Sequence, residues 1–201
     1  MSHILIVCGS HRPKSQSRKV SDYIAGAIAK LDASVTTDVL DLFENPLPMW
    51  DGDGGYVPGK AAAWQPFSPR VQKADGFVIV SPEWAGMVPP GLKNFMLHGS
   101  PKDMGHKPAM IVAVSAGRGG SYPNNELRTS GYKNTRIVYT PDHVLVQTVN
   151  DVLNGPTEAD KNDGYIRRRI DFSLKTLLTY TDAFKTIRAA GLDNPEFPNG
   201  Q

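Results

Sequence analysis

The 201-residue sequence predicts a doubly wound α/β fold, with five parallel strands in one sheet and helices on both of its faces. Three observations lead there. Nearly continuous apolar runs occur at Ile4–Cys8, Gly76–Val80 and Ala109–Val114, the pattern of strands buried on both sides of a parallel sheet. Segments with helical spacing alternate with those runs. The chemically rich stretches follow the first, third and fourth strands, and ligands of such sheets bind beyond the carboxyl ends of the strands, at the switch point.

The elements follow in order. Ile4–Cys8 is the first strand, and right-handed crossovers make it central. Val20, Ile24, Ala27, Ile28 and Leu31 share one face of the helix behind it. Val35–Leu40 carries β-branched residues and reads as a second strand. Phe43–Gly59 is rich in Pro, Gly and Asp, and a connection of that length is more often functional than idle. A helix over Ala62–Ala74 leads to the strand Gly76–Val80, and a helix over Pro89–His98 leads to Ala109–Val114. A helix over Glu126–Tyr132, a short peripheral strand Arg136–Tyr139 and a long helix over Ala159–Ala190 complete the pattern. The length fits one domain over residues 1–192, with 193–201 as a frayed tail.

Composition narrows the function. The net charge is +2, which argues against nucleic acid as the main partner. The Arg167-Arg168-Arg169 run fits a solvated or intersubunit helix face. No apolar run reaches membrane-spanning length, and Met1–Cys8 lacks the shape of a secretory leader. The single cysteine, Cys8, rules out an internal disulfide framework and an iron–sulfur cluster, and suits a reducing cytoplasmic setting. Asp51 and Asp53 are not followed by the Glu that a calcium loop requires, so no metal is expected.

The loop Gly9-Ser10-His11-Arg12-Pro13-Lys14-Ser15-Gln16-Ser17 lies between the first strand and its helix. A helix start offers unpaired N–H groups and partial positive charge. Ser10, Ser15 and Ser17 add hydroxyl donors, and Arg12 adds a planar cationic fork. The spacing fits neither the nucleoside-triphosphate loop nor the dinucleotide fingerprint. It suits one terminal phosphate monoester, as in FMN; an ordinary capped turn is the plain alternative. After the third strand, Pro82, Pro89 and Pro90 stiffen a loop in which Gly86 frees the backbone and Trp84 offers an aromatic flank. After the fourth, Ser115-Ala116-Gly117-Arg118-Gly119-Gly120 lets backbone approach a planar ligand.

Together these motifs resemble the NADPH-dependent FMN reductase family. The pattern Gly-Ser-x-Arg-x-x-Ser-x-Ser/Asn is met by Gly9, Ser10, Arg12, Ser15 and Ser17. Pro-Glu-Tyr-Asn-x-x-x-Pro-x-x-Leu-Lys-Asn is met by Pro82, Glu83, Pro89, Leu92, Lys93 and Asn94, with Trp84 and Ala85 in place of Tyr and Asn. Ser-x-Gly-x-x-Gly is met by Ser115, Gly117 and Gly120. The resemblance covers about residues 3 to 150. It implies a flavodoxin-like fold with strand order 2-1-3-4-5. It implies FMN as cofactor and NADPH or NADH as co-substrate. It places Ser10, Arg12, Ser15, Gln16 and Ser17 at the phosphate. Pro82, Glu83, Trp84, Ala85 and Gly86 fall along the ribityl chain and ring, and Ser115, Gly117 and Gly120 on the ring's other side. The flavin carries the hydride, so no side chain is required as a catalyst. The acceptor would be a flavin, quinone, azo compound or metal oxyanion, reduced by ping-pong transfer. A homodimer or homotetramer is implied, with the loop around Trp50 and the helix after Pro89 as contact candidates. A flavodoxin-type electron carrier is the competing reading; Arg12 and the slightly basic balance weigh against it.

Overall fold

A computed structural model of the protein describes residues 1–51, 60–192, 194, 196 and 197. Five parallel strands form one sheet in the order β2-β1-β3-β4-β5. They are β1 (His3–Cys8), β2 (Thr36–Asp41), β3 (Gly76–Pro82), β4 (Pro108–Val114) and β5 (Val138–Val146). Every residue of β1, β3 and β4 is buried, as the continuous apolar runs require. Side chains alternate between two cores. Ile4, Ile6, Val78, Val80, Met110 and Val112 pack with α1 (Gln16–Leu31) and α8 (Lys161–Ala189). Leu5, Val7, Phe77, Ile79 and Ile111 face α3 (Ser68–Lys73) and α4 (Pro90–His98), whose Val71, Leu92 and Phe95 are fully buried.

Local chemistry redraws several boundaries. The single helix expected over 62–74 is two, α2 (Lys60–Trp64) and α3, because Pro66 between them cannot donate to a helical carbonyl. Trp64 and Phe67 stack across the break with centroids 5.7 Å apart. A short α5 (Pro101–Met104) appears where apolar spacing is silent; a reciprocal Ser100–Asp103 capping box starts it. The helix expected at 126–132 begins earlier, as α6 (Ser121–Thr129), directly after Gly120 at φ +112°. Gly131 at φ +78° then separates a further turn, α7 (Tyr132–Thr135).

The fifth strand is longer than the apolar stretch at 136–139 announces. Pro141, Asp142 and His143 sit inside it, and its pairing with β4 shifts register between Ala109 and Ile111. An edge strand accommodates a proline and a bulge because one side needs no partner. Two of the three arginines of the run are used internally, while Arg168 stays exposed beside Glu158. Arg167 pairs with buried Asp163 at 3.0 Å and lies over Tyr23, and Arg169 reaches Asp142 at 2.9 Å. Of the tail expected from 193 onward, residues 193, 195 and 198–201 lie outside the described residues, as do 52–59 of the long connection.

At the amino end of β4 the buried Lys107 ammonium ties three elements together. Its Nζ donates to Val71 O, Gln72 O and Asp103 O at 2.7–2.9 Å. Burial, aided by the nearby charge of Arg188, pushes this amine down to about 8. A base with a depressed folded pKa gives up its proton more readily when folded. The unfolded chain therefore binds more protons between about pH 8 and the ordinary lysine value, and stability contributed by this site rises with pH across that window. Below about pH 8 the penalty of the buried charge is present in full. In Lys107→Met that rise disappears; urea midpoints of both proteins at about pH 7 and about pH 10 check it.

Candidate flavin site at the carboxyl edge of the sheet

Register brings the three motif loops side by side. Cys8 pairs with Val80, and Pro82 with Val114, so the loops after β1, β3 and β4 leave one sheet edge next to each other. The first loop is seated by Gly9, whose N–H donates to Val80 O at 2.8 Å. A Cβ on Gly9 would lie 2.7 Å from Leu92 Cδ2 and 2.8 Å from that same carbonyl, so only glycine lets the backbone pass here.

Ser15 is the N-cap of α1, its hydroxyl accepting from Arg18 N at 3.1 Å. The Ser10 hydroxyl accepts from Arg12 N at 3.3 Å. Each hydroxyl spends a lone pair on these bonds and keeps its proton to donate. Gln16 and Ser17 occupy the first turn, where N–H groups have no intrahelical carbonyl, and that turn carries no acidic residue. A hydroxyl- and N–H-lined helix start of this kind fits a phosphate monoester, and it fits the FMN phosphate by the chemistry of its donors.

Structure also sorts the cations, which the sequence lists without ranking. Arg18 contacts Asp22, Asp41 and Glu44 at 2.9–3.4 Å and is spent on carboxylates. Lys19 donates to Val149 O, Val152 O and Asn154 Oδ1. Arg12 is exposed, makes no ion pair among the described residues, and places its guanidinium carbon 4.3 Å from the Trp84 ring centre. Cys8 is buried, 4.0 Å from the Ser15 hydroxyl. Burial, with the Asp41 charge behind it, pushes its thiol up to about 11, so it is no nucleophile at neutral pH.

The second loop is a tight turn. Trp84 and Met87 exchange both backbone hydrogen bonds, and Ala85 and Gly86 have φ +50° and +72°. Positive φ at both central positions is the signature of a type I′ turn, which favours Asn-Gly. The departure to alanine at 85 therefore has a local backbone cost. Ala85 is exposed, and its methyl has no polar group to offer. Ala85→Asn is expected to stabilise the fold by about 0.5–1 kcal/mol, as the left-handed region is less costly for Asn than for Ala. A raised denaturant midpoint at constant slope checks it.

Glu83 joins the second and third loops. Its carboxylate accepts from Gly120 N, and a Cβ on Gly119 would fall 2.6 Å from it. Ser115 accepts from Gly117 N and Gly119 N, each at 3.2 Å. Nothing lies within 4 Å of where a Gly117 Cβ would sit, so that glycine faces open space rather than a packing demand. Pro82 ends β3 and is buried. Motif residue Asn94 works away from the loops: it accepts from Trp50 N at 2.8 Å and donates to Pro48 O at 2.9 Å, anchoring the segment before Asp51.

Two contributors were not visible in sequence. Gln147 donates to Arg118 O and to Gly119 O, bracing the glycine-rich loop from the end of β5. The underestimated fifth strand hid it. Tyr122 is 69% exposed and lies beside Gly86, its ring 3.9 Å from where a Cβ would be. Its position two residues after Gly120, at a helix start, is the signal available.

Sheet order and loop placement together define a flavodoxin-like protein whose three motif loops meet at its switch point. The sequence profile of the NADPH-dependent FMN reductase family matches residues 2–151, and the chain belongs to that family. It is 26% identical to an NAD(P)H-dependent FMN reductase of Schizosaccharomyces pombe, over 82% of this chain and 85% of that one. It is 27% identical to a probable NADPH:quinone oxidoreductase of Oryza sativa, over 89% and 91%. An oxidoreductase of Corynebacterium diphtheriae shares the fold, with a TM-score of 0.73 at 15% identity, covering 91% of this chain and 98% of that one. Among the described residues no helix is long and apolar enough to cross a membrane.

Proposed function

We propose that this protein is an FMN-dependent NAD(P)H oxidoreductase acting on small acceptors, quinones foremost. The observation that carries the reading is the cradle itself: the hydroxyls of Ser10 and Ser15 and the first-turn N–H groups of α1 meet at the sheet edge, beside an exposed Arg12 that makes no ion pair among the described residues. FMN, when bound, supplies the hydride chemistry, taking two electrons from NADPH or NADH and passing them in ping-pong order to a flavin, quinone, azo or metal-oxyanion acceptor.

The chain's own residues bind and orient. Ser10, Arg12, Ser15, Gln16 and Ser17 hold the phosphate. Pro82, Glu83, Ala85 and Gly86 border the second side, with Glu83 keeping the loops in register through Gly120 N. Ser115 and Gly117 leave room for a flat ring, and Gly120, whose missing Cβ would face Leu145 and Ala113, serves through its N–H to Glu83. No acid–base pair is needed, which accords with the buried, high-pKa thiol of Cys8.

The functional unit in this reading is one domain over 1–192, working in the cytoplasm as a homodimer or homotetramer. Partly exposed Trp50 and Leu97 border a groove of about 380 Å³ with Val88, Met96 and Leu127, and this apolar face supports self-association. Sedimentation equilibrium tests it.

The activity is tested by loading purified protein with FMN, desalting it, and recording the visible spectrum and anaerobic bleaching by each nucleotide. Retained flavin bleached by NADPH or NADH, then recoloured by a quinone, is the expected result. Protein that retains no flavin after loading refutes the proposal.

A further inference from the structure

From the contacts of its ring, we infer that Trp84 is a positioning residue for Arg12, holding the guanidinium at the mouth of the phosphate loop instead of flanking the flavin ring. The inference rests on the proposed FMN site and deepens it. Two consecutive residues of the first loop take up the Trp84 ring. The Arg12 guanidinium carbon lies 4.3 Å from its centre. The His11 ring meets it at 4.4 Å with an interplanar angle of 79°. His11 is in turn seated against the start of α4: a Cβ on Gly91 would fall 3.0 Å from His11 Nδ1.

The backbone that carries the indole is itself anchored by the paired main-chain bonds between Trp84 and Met87. Thus the rigid turn after β3 presents an aromatic shelf, and the first loop lays on it Arg12, which makes no ion pair among the described residues. A long exposed arginine loses substantial rotamer freedom when it grips an anion. Confining it beforehand lowers that cost, and indole is the aromatic ring that attracts a cation most strongly. Trp84 thereby acts on the phosphate end of the ligand through Arg12, although its place in the second loop suggests the ring end.

FMN and riboflavin separate the two roles, because riboflavin lacks the phosphate. Dissociation constants for both are measured by quenching of flavin fluorescence, in wild type, Trp84→Leu, Trp84→Tyr, Arg12→Ala and the double variant Arg12→Ala/Trp84→Leu. Trp84→Leu is expected to weaken FMN binding about two- to fivefold and to leave riboflavin binding unchanged. Trp84→Tyr should keep most of the FMN affinity. In the Arg12→Ala background, Trp84→Leu should add no further loss.

Equal losses for FMN and riboflavin would mean that the indole stacks on the flavin ring, which overturns the inference. So would additive losses in the double variant. Should Trp84→Leu fail to fold, the comparison of Trp84→Tyr with wild type decides: a loss shared by both flavins overturns the inference, and a loss confined to FMN or absent sustains it. If wild type does not prefer FMN to riboflavin, or Arg12→Ala binds FMN normally, the phosphate-site reading itself fails, and that failure is distinct from one at Trp84.

Discussion

Arg12→Ala is expected to weaken FMN binding about ten- to a hundredfold, with little change in folding stability. A charge-assisted contact to phosphate contributes about 1.5–3 kcal/mol, which sets that range. Stability should hold because Arg12 is exposed and makes no ion pair among the described residues. Arg18, six residues on in the same segment, supplies the contrast. Its guanidinium is shared among Asp22, Asp41 and Glu44, and the hydrogen bond it donates to Asp22 foremost keeps it firmly protonated. Arg18→Ala should therefore leave phosphate affinity within about threefold, since no direct charge-assisted contact is lost. Titration calorimetry with FMN on both variants checks the pair. Equal losses from both would mean that the field of the loop, and not a contact from Arg12, holds the anion. No loss from Arg12→Ala would remove it from the site.

The second large effect is expected at Gly9. Gly9→Ala should cost about 1–3 kcal/mol of stability, because overpacking here cannot be relieved by a rotamer change alone. One of the two clashing atoms is the Val80 carbonyl oxygen, 2.8 Å from the new Cβ, and it belongs to the backbone of a fully buried strand. The other is Leu92 Cδ2 at 2.7 Å, in a side chain that is itself fully buried. Relief must come from moving the chain at Gly9, which carries Ser10 and Arg12 with it. FMN affinity should fall together with the denaturant midpoint. An unchanged midpoint would show that the strand edge yields freely; an unchanged affinity at a lowered midpoint would show that the loop reforms independently of its seat.

The sequence was most informative where burial is uniform. Ile4–Cys8, Gly76–Val80 and Ala109–Val114 announce themselves because a strand covered on both faces has no reason to alternate. It was least informative at the margins. The fifth strand hides behind Pro141 and Asp142, tolerable only because β5 is an edge. The α2–α3 break is marked in the sequence by Pro66, although the apolar spacing runs through it. α5 has a four-residue span, too short for any periodicity to register.

The candidate site divides the same way. Loop chemistry was readable from the chain alone: glycine where backbone must pass, serines at a helix start, an arginine among them, and a family pattern joining the three loops. Within each loop those features depend on residues close together in the chain, and local sequence encodes local capping and turn geometry directly. What each charged or aromatic side chain does with those positions was settled only in three dimensions. Arg12 and Arg18 look alike in sequence; Asp41 and Glu44, from the end of β2 and the turn after it, separate them. Glu83 looks like a ligand-facing carboxylate until Gly120 N meets it. Trp84 looks like a flank for a flavin until Arg12 and His11 take up its ring. In each case the deciding partner comes from a distant segment brought close by sheet register, and long-range pairing of that kind leaves no mark on the spacing of residues along the chain.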